Sequence, residues 1–187
     1  MRLNEAQRQA VTQGDGPVLV LAGAGSGKTR VIVERLAFLV SERGVDPRSL
    51  LALTFTNRAA NEMKTRTATR LGMDRLSAWV GTFHSFGLYI LRREMDKLGR
   101  PGAFTVFDDA DQLSLAKRLI KDLPSGTPKL MPRNVLGWIS RLKQDLLTPE
   151  TATTHTDPDE ETLTRLWTRY HDALQRACAV DYDDLLV

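Results

Sequence analysis

An apolar pentapeptide, Val18-Leu19-Val20-Leu21-Ala22, runs straight into Gly23-Ala24-Gly25-Ser26-Gly27-Lys28-Thr29, and an amphipathic stretch follows at once. Few junctions constrain a chain as tightly. The apolar run predicts a strand buried on both faces, because it lacks the polar alternation of a half-exposed one. The glycines let the backbone turn sharply, so that several N–H groups converge on one point. The segment from about Gly27 to Arg43 predicts a helix with Val31, Leu36, Leu39 and Val40 as its apolar stripe. Its positive N-terminal end faces the same point. Strand, glycine-rich turn and helix start, with Lys-Thr at the junction, make a phosphate-binding loop of Ala22, Gly23, Ala24, Gly25, Ser26, Gly27, Lys28 and Thr29. In such a loop Lys28 reaches the β- and γ-phosphates of ATP, and the Thr29 hydroxyl holds Mg²⁺. The usual pattern opens on glycine. Here Ala22 stands there, and alanine suits the extended end of a strand, so no loss of binding is expected.

The flanking segments extend the pattern. Leu3 to Gln13 predicts a short helix, with Asn4 as its cap and Gln7 three residues on, as in a capping box. Gly14-Asp15-Gly16-Pro17 breaks the chain. Leu50–Phe55 and Ala78–Thr82 predict two further strands. A helix starting at Asn57 and ending near Leu71 lies between them, and another runs from about Phe83 to Leu98. Strands alternating with helices at this spacing argue for a parallel sheet covered by helices. The character changes near Arg100-Pro101-Gly102. Beyond Phe107 no further strand is predicted. Helices are expected from Asp108 or Asp109 to Leu123, from Pro132 to Leu147, and from Pro158 onward with Leu163, Leu166, Trp167, Tyr170, Leu174 and Cys178 as one stripe.

Charge follows the same division. Residues 1–100 hold 16 Lys/Arg against 9 Asp/Glu, whereas residues 101–187 hold 10 against 14. The basic part suits a polyanionic partner, although a solvated surface explains the same bias. The single cysteine excludes an internal disulfide and a cysteine-based zinc cluster, and fits a reducing cytoplasm. No apolar run approaches the roughly 18 residues of a membrane span.

Four further motifs occur in order: Leu3-Asn4-Glu5-Ala6-Gln7, Thr54-Phe55-Thr56-Asn57-Arg58-Ala59-Ala60-Asn61-Glu62-Met63, Gly81-Thr82-Phe83-His84-Ser85-Phe86 and Asp181-Tyr182-Asp183-Asp184-Leu185-Leu186. With the phosphate loop they resemble the N-terminal part of superfamily 1 DNA helicases of the UvrD/Rep/PcrA type, over nearly the whole chain. The resemblance implies an α/β fold. A RecA-like P-loop domain with a parallel, incomplete sheet would occupy residues 1–100, an inserted all-helical subdomain 101–178, and the return to the first domain 179–187. It implies an ATP-dependent DNA helicase working 3′ to 5′, with single-stranded DNA or a single/double-strand junction as substrate and the remaining helicase domains as partners.

The resemblance also implies roles for individual residues. Gln7 reads the adenine edge, for which an amide that donates and accepts is suited, beside its alternative as a mere capping-box member. Arg30 lies near the base, or is an exposed helix arginine. Phe55 stacks on a base, or packs in the core at a strand end. Asn57 bonds phosphate or sugar, or caps its helix, or does both. Thr82 and His84 contact the DNA backbone. An acid–base role for His84 is not expected, because P-loop hydrolysis relies on an acidic residue or glutamine near the attacking water.

A P-loop ATPase also needs an acidic residue at the end of a neighbouring strand to complete the Mg²⁺ site. Asp108-Asp109 imitates one, but helix capping explains it. Asp181-Tyr182-Asp183-Asp184 is the second imitation. In the family the true acidic motif lies a few dozen residues further on, beyond Val187. The chain therefore reads as a fragment that binds ATP without hydrolysing it. Two other enzymes share parts of the pattern: the helicase subunit of a recombination nuclease, and a P-loop small-molecule kinase. The kinase should carry an arginine-rich lid and a complete sheet within this length.

Overall fold

The computed structural model describes residues 3–124, 130–152 and 158–187. They form two compact units, Met1–Phe86 and Gly87–Val187.

The first unit begins with α1 (Glu5–Thr12). Asn4 accepts from the Gln7 backbone N–H and the Gln7 side chain returns to the Asn4 N–H, so the expected capping box forms. α2 (Lys28–Ser41) follows the glycine-rich loop and buries Val33, Leu36 and Ala37. β1 (Leu51–Thr54), α3 (Asn57–Leu71) and β2 (Trp79–Thr82) make a βαβ unit, with the strands parallel and Ala52 beside Val80. Parallel pairing requires such a crossover. Val33 and Leu36 of α2, Ala60, Met63 and Ala68 of α3, and Ala52 and Val80 of the strands form one core.

The Val18–Ala22 strand is not formed. This segment pairs with neither strand, and Leu19 and Leu21 are 84% and 87% exposed. Hydrophobicity states a demand for burial but does not provide a partner. A strand buried on both faces needs a ladder and cover on each side, and among the described residues this run has neither. Val18 and Val20 instead line an open apolar cavity of about 370 Å³ together with Val31, Ile32 and Leu51–Leu53. Helix α3 brings a smaller correction. Its cap is Thr56, whose hydroxyl accepts from the Ala59 N–H, and Asn57 is the first helical residue.

The boundary at Gly87 falls within α4 (Phe83–Glu94), and the second unit continues through a 3₁₀ turn, Met95–Leu98. That unit holds β3 (Thr105–Val106), α5 (Asp109–Lys121), α6 (Pro132–Gln144), α7 (Pro158–Arg176) and β4 (Ala179–Val180). β3 and β4 pair in parallel, and β4 lies beyond Phe107, where no strand was expected; two residues carry too little pattern to read. Asp108 caps α5 through the Ala110 and Asp111 N–H groups, which accounts for that acidic cluster. Pro132 occupies the first turn of α6. Leu115, Leu119, Val135, Ile139, Leu166, Trp167, Tyr170 and Leu174 form the helical core. Cys178 does not belong to it: α7 ends at Arg176, and Cys178 is exposed with a left-handed φ of 47°. At Gly87 the α4 backbone passes so close to Leu185 that a Cβ would lie 1.8 Å from its carbonyl oxygen. Among the described residues no helix is long and apolar enough to cross a membrane.

The phosphate loop and the aromatic strand ends

The phosphate loop is shaped by glycine where only glycine fits well. Gly25 and Gly27 have φ of 72° and 88°, a region other residues enter at a cost. Gly27 is also the N-cap of α2, so the helix starts directly on Lys28. Ser26 stiffens the turn by donating its hydroxyl to the Gly23 carbonyl at 2.8 Å. Lys28 lies over the loop and donates to the carbonyls of Gly23 (2.8 Å) and Ala22 (3.3 Å). Thr29 and Arg30 are half-buried in the first turn of α2. No Cβ crowds Gly23 or Gly25, where an added carbon would meet nothing within 4 Å. Open backbone on one side, a helix N-terminus and an exposed ammonium fit a polyphosphate.

Gln7 joins this loop from α1. Its Nε2 donates to the Ser26 carbonyl at 3.0 Å, and its Oε1 accepts from the Asn4 N–H at 3.1 Å. The amide therefore serves both the capping box and a tertiary contact 19 residues away. Capping alone does not account for it.

A second group sits where β1 and β2 end. Their register places Thr54 beside Thr82, so the residues that follow, Phe55 and Phe83, become neighbours. Their ring centroids are 5.5 Å apart at an interplanar angle of 38°. Phe55 is 88% exposed and is not core. Asn57 is exposed and borders an open cavity of about 780 Å³, together with Asn61, Lys64, Arg75 and Ser85. His84 is exposed on the first turn of α4. Thr82 is buried, and its hydroxyl accepts from the Ser85 N–H at 3.1 Å, the bond of a helix cap. Sequence reasoning missed Phe83. Its signal was the repeated Thr-Phe dipeptide at the ends of two adjacent strands. The phosphate loop does not extend this edge, because Val18–Ala22 pairs with neither strand. The structure brings together Phe55, Phe83, Thr82 and His84 at the strand ends, and Gln7 with the loop.

Neither strand end carries a carboxylate: β1 leads into Phe55-Thr56-Asn57 and β2 into Phe83-His84-Ser85. The acidic pair at the C-terminal end is engaged elsewhere. Lys143 Nζ lies 2.7 Å from both Asp181 Oδ2 and Asp184 Oδ1, and the Tyr170 hydroxyl donates to Asp181 at 3.1 Å. Asp181 and Lys143 are buried, so this carboxylate is a structural anchor. Burial alone pulls the Lys143 pKa down, but the Asp184 and Asp181 charges more than offset it and hold it above the ordinary lysine value. Burial, then the Asp181 charge, raises the Tyr170 phenol.

The model of the UvrD/REP helicase N-terminal domain matches residues 3–187. The chain belongs to this family. Similar proteins include the ATP-dependent DNA helicase PcrA of Leuconostoc citreum, 43% identical over 99% of this chain and 25% of that protein. Those of Staphylococcus epidermidis and Staphylococcus aureus are 41% identical over 99% of this chain and 26% of theirs. The chain thus spans about a quarter of the length of these UvrD/REP-type relatives.

Proposed function

We propose that this chain is the N-terminal, ATP- and single-stranded-DNA-binding part of an ATP-dependent DNA helicase that moves 3′ to 5′. In this reading residues 1–100 are the P-loop part of a RecA-like motor domain, 101–178 an inserted helical subdomain, and 179–187 the return to the motor domain. Lys28 and the loop N–H groups hold the phosphates, and the Thr29 hydroxyl would hold Mg²⁺, whose contribution would be charge neutralisation at the phosphates. Gln7 and Arg30 face the base. Phe55 and Phe83 offer ring faces to unstacked bases, Asn57 and His84 contact phosphate or sugar, and Thr82 fixes the turn that presents them.

The exposed Phe55 ring beside Phe83 carries the DNA side of this reading. A large apolar ring left in water at a strand end has no folding role, whereas stacking on bases tolerates any sequence. Phe55→Ala should therefore weaken single-stranded oligonucleotide binding by about 1–3 kcal/mol, whatever the base sequence. Its melting temperature should stay at the wild-type value, where loss of a core phenylalanine would cost about 3–5 kcal/mol. Fluorescence anisotropy paired with thermal melts decides this. Unchanged affinity in both Phe55→Ala and His84→Ala would remove the DNA assignment and leave the phosphate loop untouched.

The 187-residue chain by itself is expected to bind ATP without turning it over. Hydrolysis needs an acid at a strand end, and the residues after β1 and β2 offer none, while Asp108 is a helix cap and Asp181 is paired with Lys143. Steady-state phosphate release with saturating single-stranded DNA should equal the buffer blank. A DNA-stimulated rate that disappears in Lys28→Ala would show that a carboxylate of this chain completes the Mg²⁺ site.

A further inference from the structure

α1 has no basic residue in its last turn. The final carbonyls of a helix find no partner within it and carry partial negative charge. Here the cation comes from α2. Arg35 Nη1 donates to the carbonyl oxygens of Ala10 (3.2 Å), Val11 (3.1 Å) and Gln13 (3.0 Å). This nitrogen has only two hydrogens for three acceptors, so at least one hydrogen is shared. The guanidinium draws the end of α1 together in a way that a single capping bond would not.

The other end of α1 rests on the phosphate loop through Gln7 and Ser26. The spacing suits a two-point attachment. Arg35 lies seven residues after Lys28, a helix rise of about 10.5 Å, and the eight residues of α1 span about 12 Å. α1 therefore lies along the first two turns of α2, pinned near its start by Gln7 and at its end by Arg35. If the guanidinium is lost, α1 is left with the Gln7 bond and its apolar contacts, among them buried Val11.

We propose that Arg35 is a positioning residue: by capping the C-terminal end of α1 it holds the Gln7 amide in register with the phosphate loop. Base recognition then depends on a side chain that reaches neither base nor phosphate. The proposal deepens the nucleotide-site reading above and rests on it.

The test compares wild type, Gln7→Ala, Arg35→Met, Arg35→Lys and the Gln7→Ala/Arg35→Met pair. Methionine keeps an apolar stem and removes the donors. Amide hydrogen exchange is followed residue by residue, with the Gln7 side-chain NH₂ resonance. In Arg35→Met, exchange should rise across Arg8–Gln13 and the Gln7 resonance should move, while α3 and β2 keep wild-type protection. Arg35→Lys should restore part of the protection. By calorimetry, Gln7→Ala and Arg35→Met should each weaken ATP by about three- to tenfold, the effect of one hydrogen bond. The pair should be no worse than either alone, and tripolyphosphate affinity should be unchanged throughout. A rise in exchange spread evenly over residues 3–86, or an unmoved Gln7 resonance, overturns the positioning role. If Gln7→Ala binds ATP as wild type does, base reading by Gln7 is wrong, and the exchange data still decide whether Arg35 holds α1.

Discussion

Lys143→Ala should destabilise the second unit by about 3–5 kcal/mol, the cost of removing one partner from a buried ion pair. Asp181 is 2% exposed and would be left without the ammonium that now lies 2.7 Å away. Trp138 and Trp167 meet edge to face in the core of this unit, with ring centroids 5.9 Å apart, so near-ultraviolet circular dichroism in a urea titration reads the loss. Lys143→Met with Asp181→Asn should recover part of it, since the fully buried carboxylate is then gone and only Asp184, 24% exposed, is left without the ammonium. The same cluster gives a pH dependence. The Lys143 pKa is raised in the folded state, so its contribution is complete below the unfolded lysine value of about 10.4 and is lost as pH rises through the raised value. The raised Tyr170 phenol acts in the same direction, because the folded state resists its deprotonation. Urea midpoints should be level from about pH 7 to 9 and fall above about pH 10. A level midpoint at pH 11 in wild type, or a Lys143→Ala midpoint equal to wild type, would mean that the cluster is not an anchor.

Lys28→Ala is the other large expected effect. Hydrogen bonds from an ammonium to a charged acceptor are worth about 1.5–3 kcal/mol, so ATP affinity should fall by roughly 10- to 150-fold. Lys28 is exposed, and its present partners are two carbonyls of the loop, so the melting temperature should change little. Calorimetry should rank Lys28→Ala as more damaging than Gln7→Ala. The reverse order would mean that the base, and not the phosphates, dominates binding to this chain.

Much of the site could be read because its determinants are local. Asn4 and Gln7 are three residues apart, and their capping box needs nothing else. Gly25 and Gly27 announce left-handed backbone at a helix start. β1, α3 and β2 follow from apolar runs and spacing, with an error of one residue at the cap, where Thr56 and Asn57 are both good candidates. What could not be read depends on distant partners. The run Val18–Ala22 has the composition of a central strand, but pairing is a property of two segments. Lys143 sits on a helix with charged neighbours and looks like any solvated lysine; its partners come 38 and 41 residues later. Arg35 likewise meets carbonyls 22 to 25 residues back, and backbone acceptors leave no trace in a side-chain pattern. Phe55 stood between core and ligand contact until its exposure was known.

The close passage at Gly87 bears on which sequences this fold can accept. A contact of 1.8 Å to a backbone oxygen cannot be relieved by turning a rotamer, because neither atom belongs to a flexible side chain. Any residue other than glycine must push the start of the second unit away from the turn at Asp183–Leu185, and so pull on the ladder that joins Val106 to Val180. In a saturation library of this chain, position 87 should therefore tolerate nothing else, as strictly as the phosphate loop does, although it lies outside that loop. Intolerance to substitution here marks two backbones in contact and says nothing of catalysis.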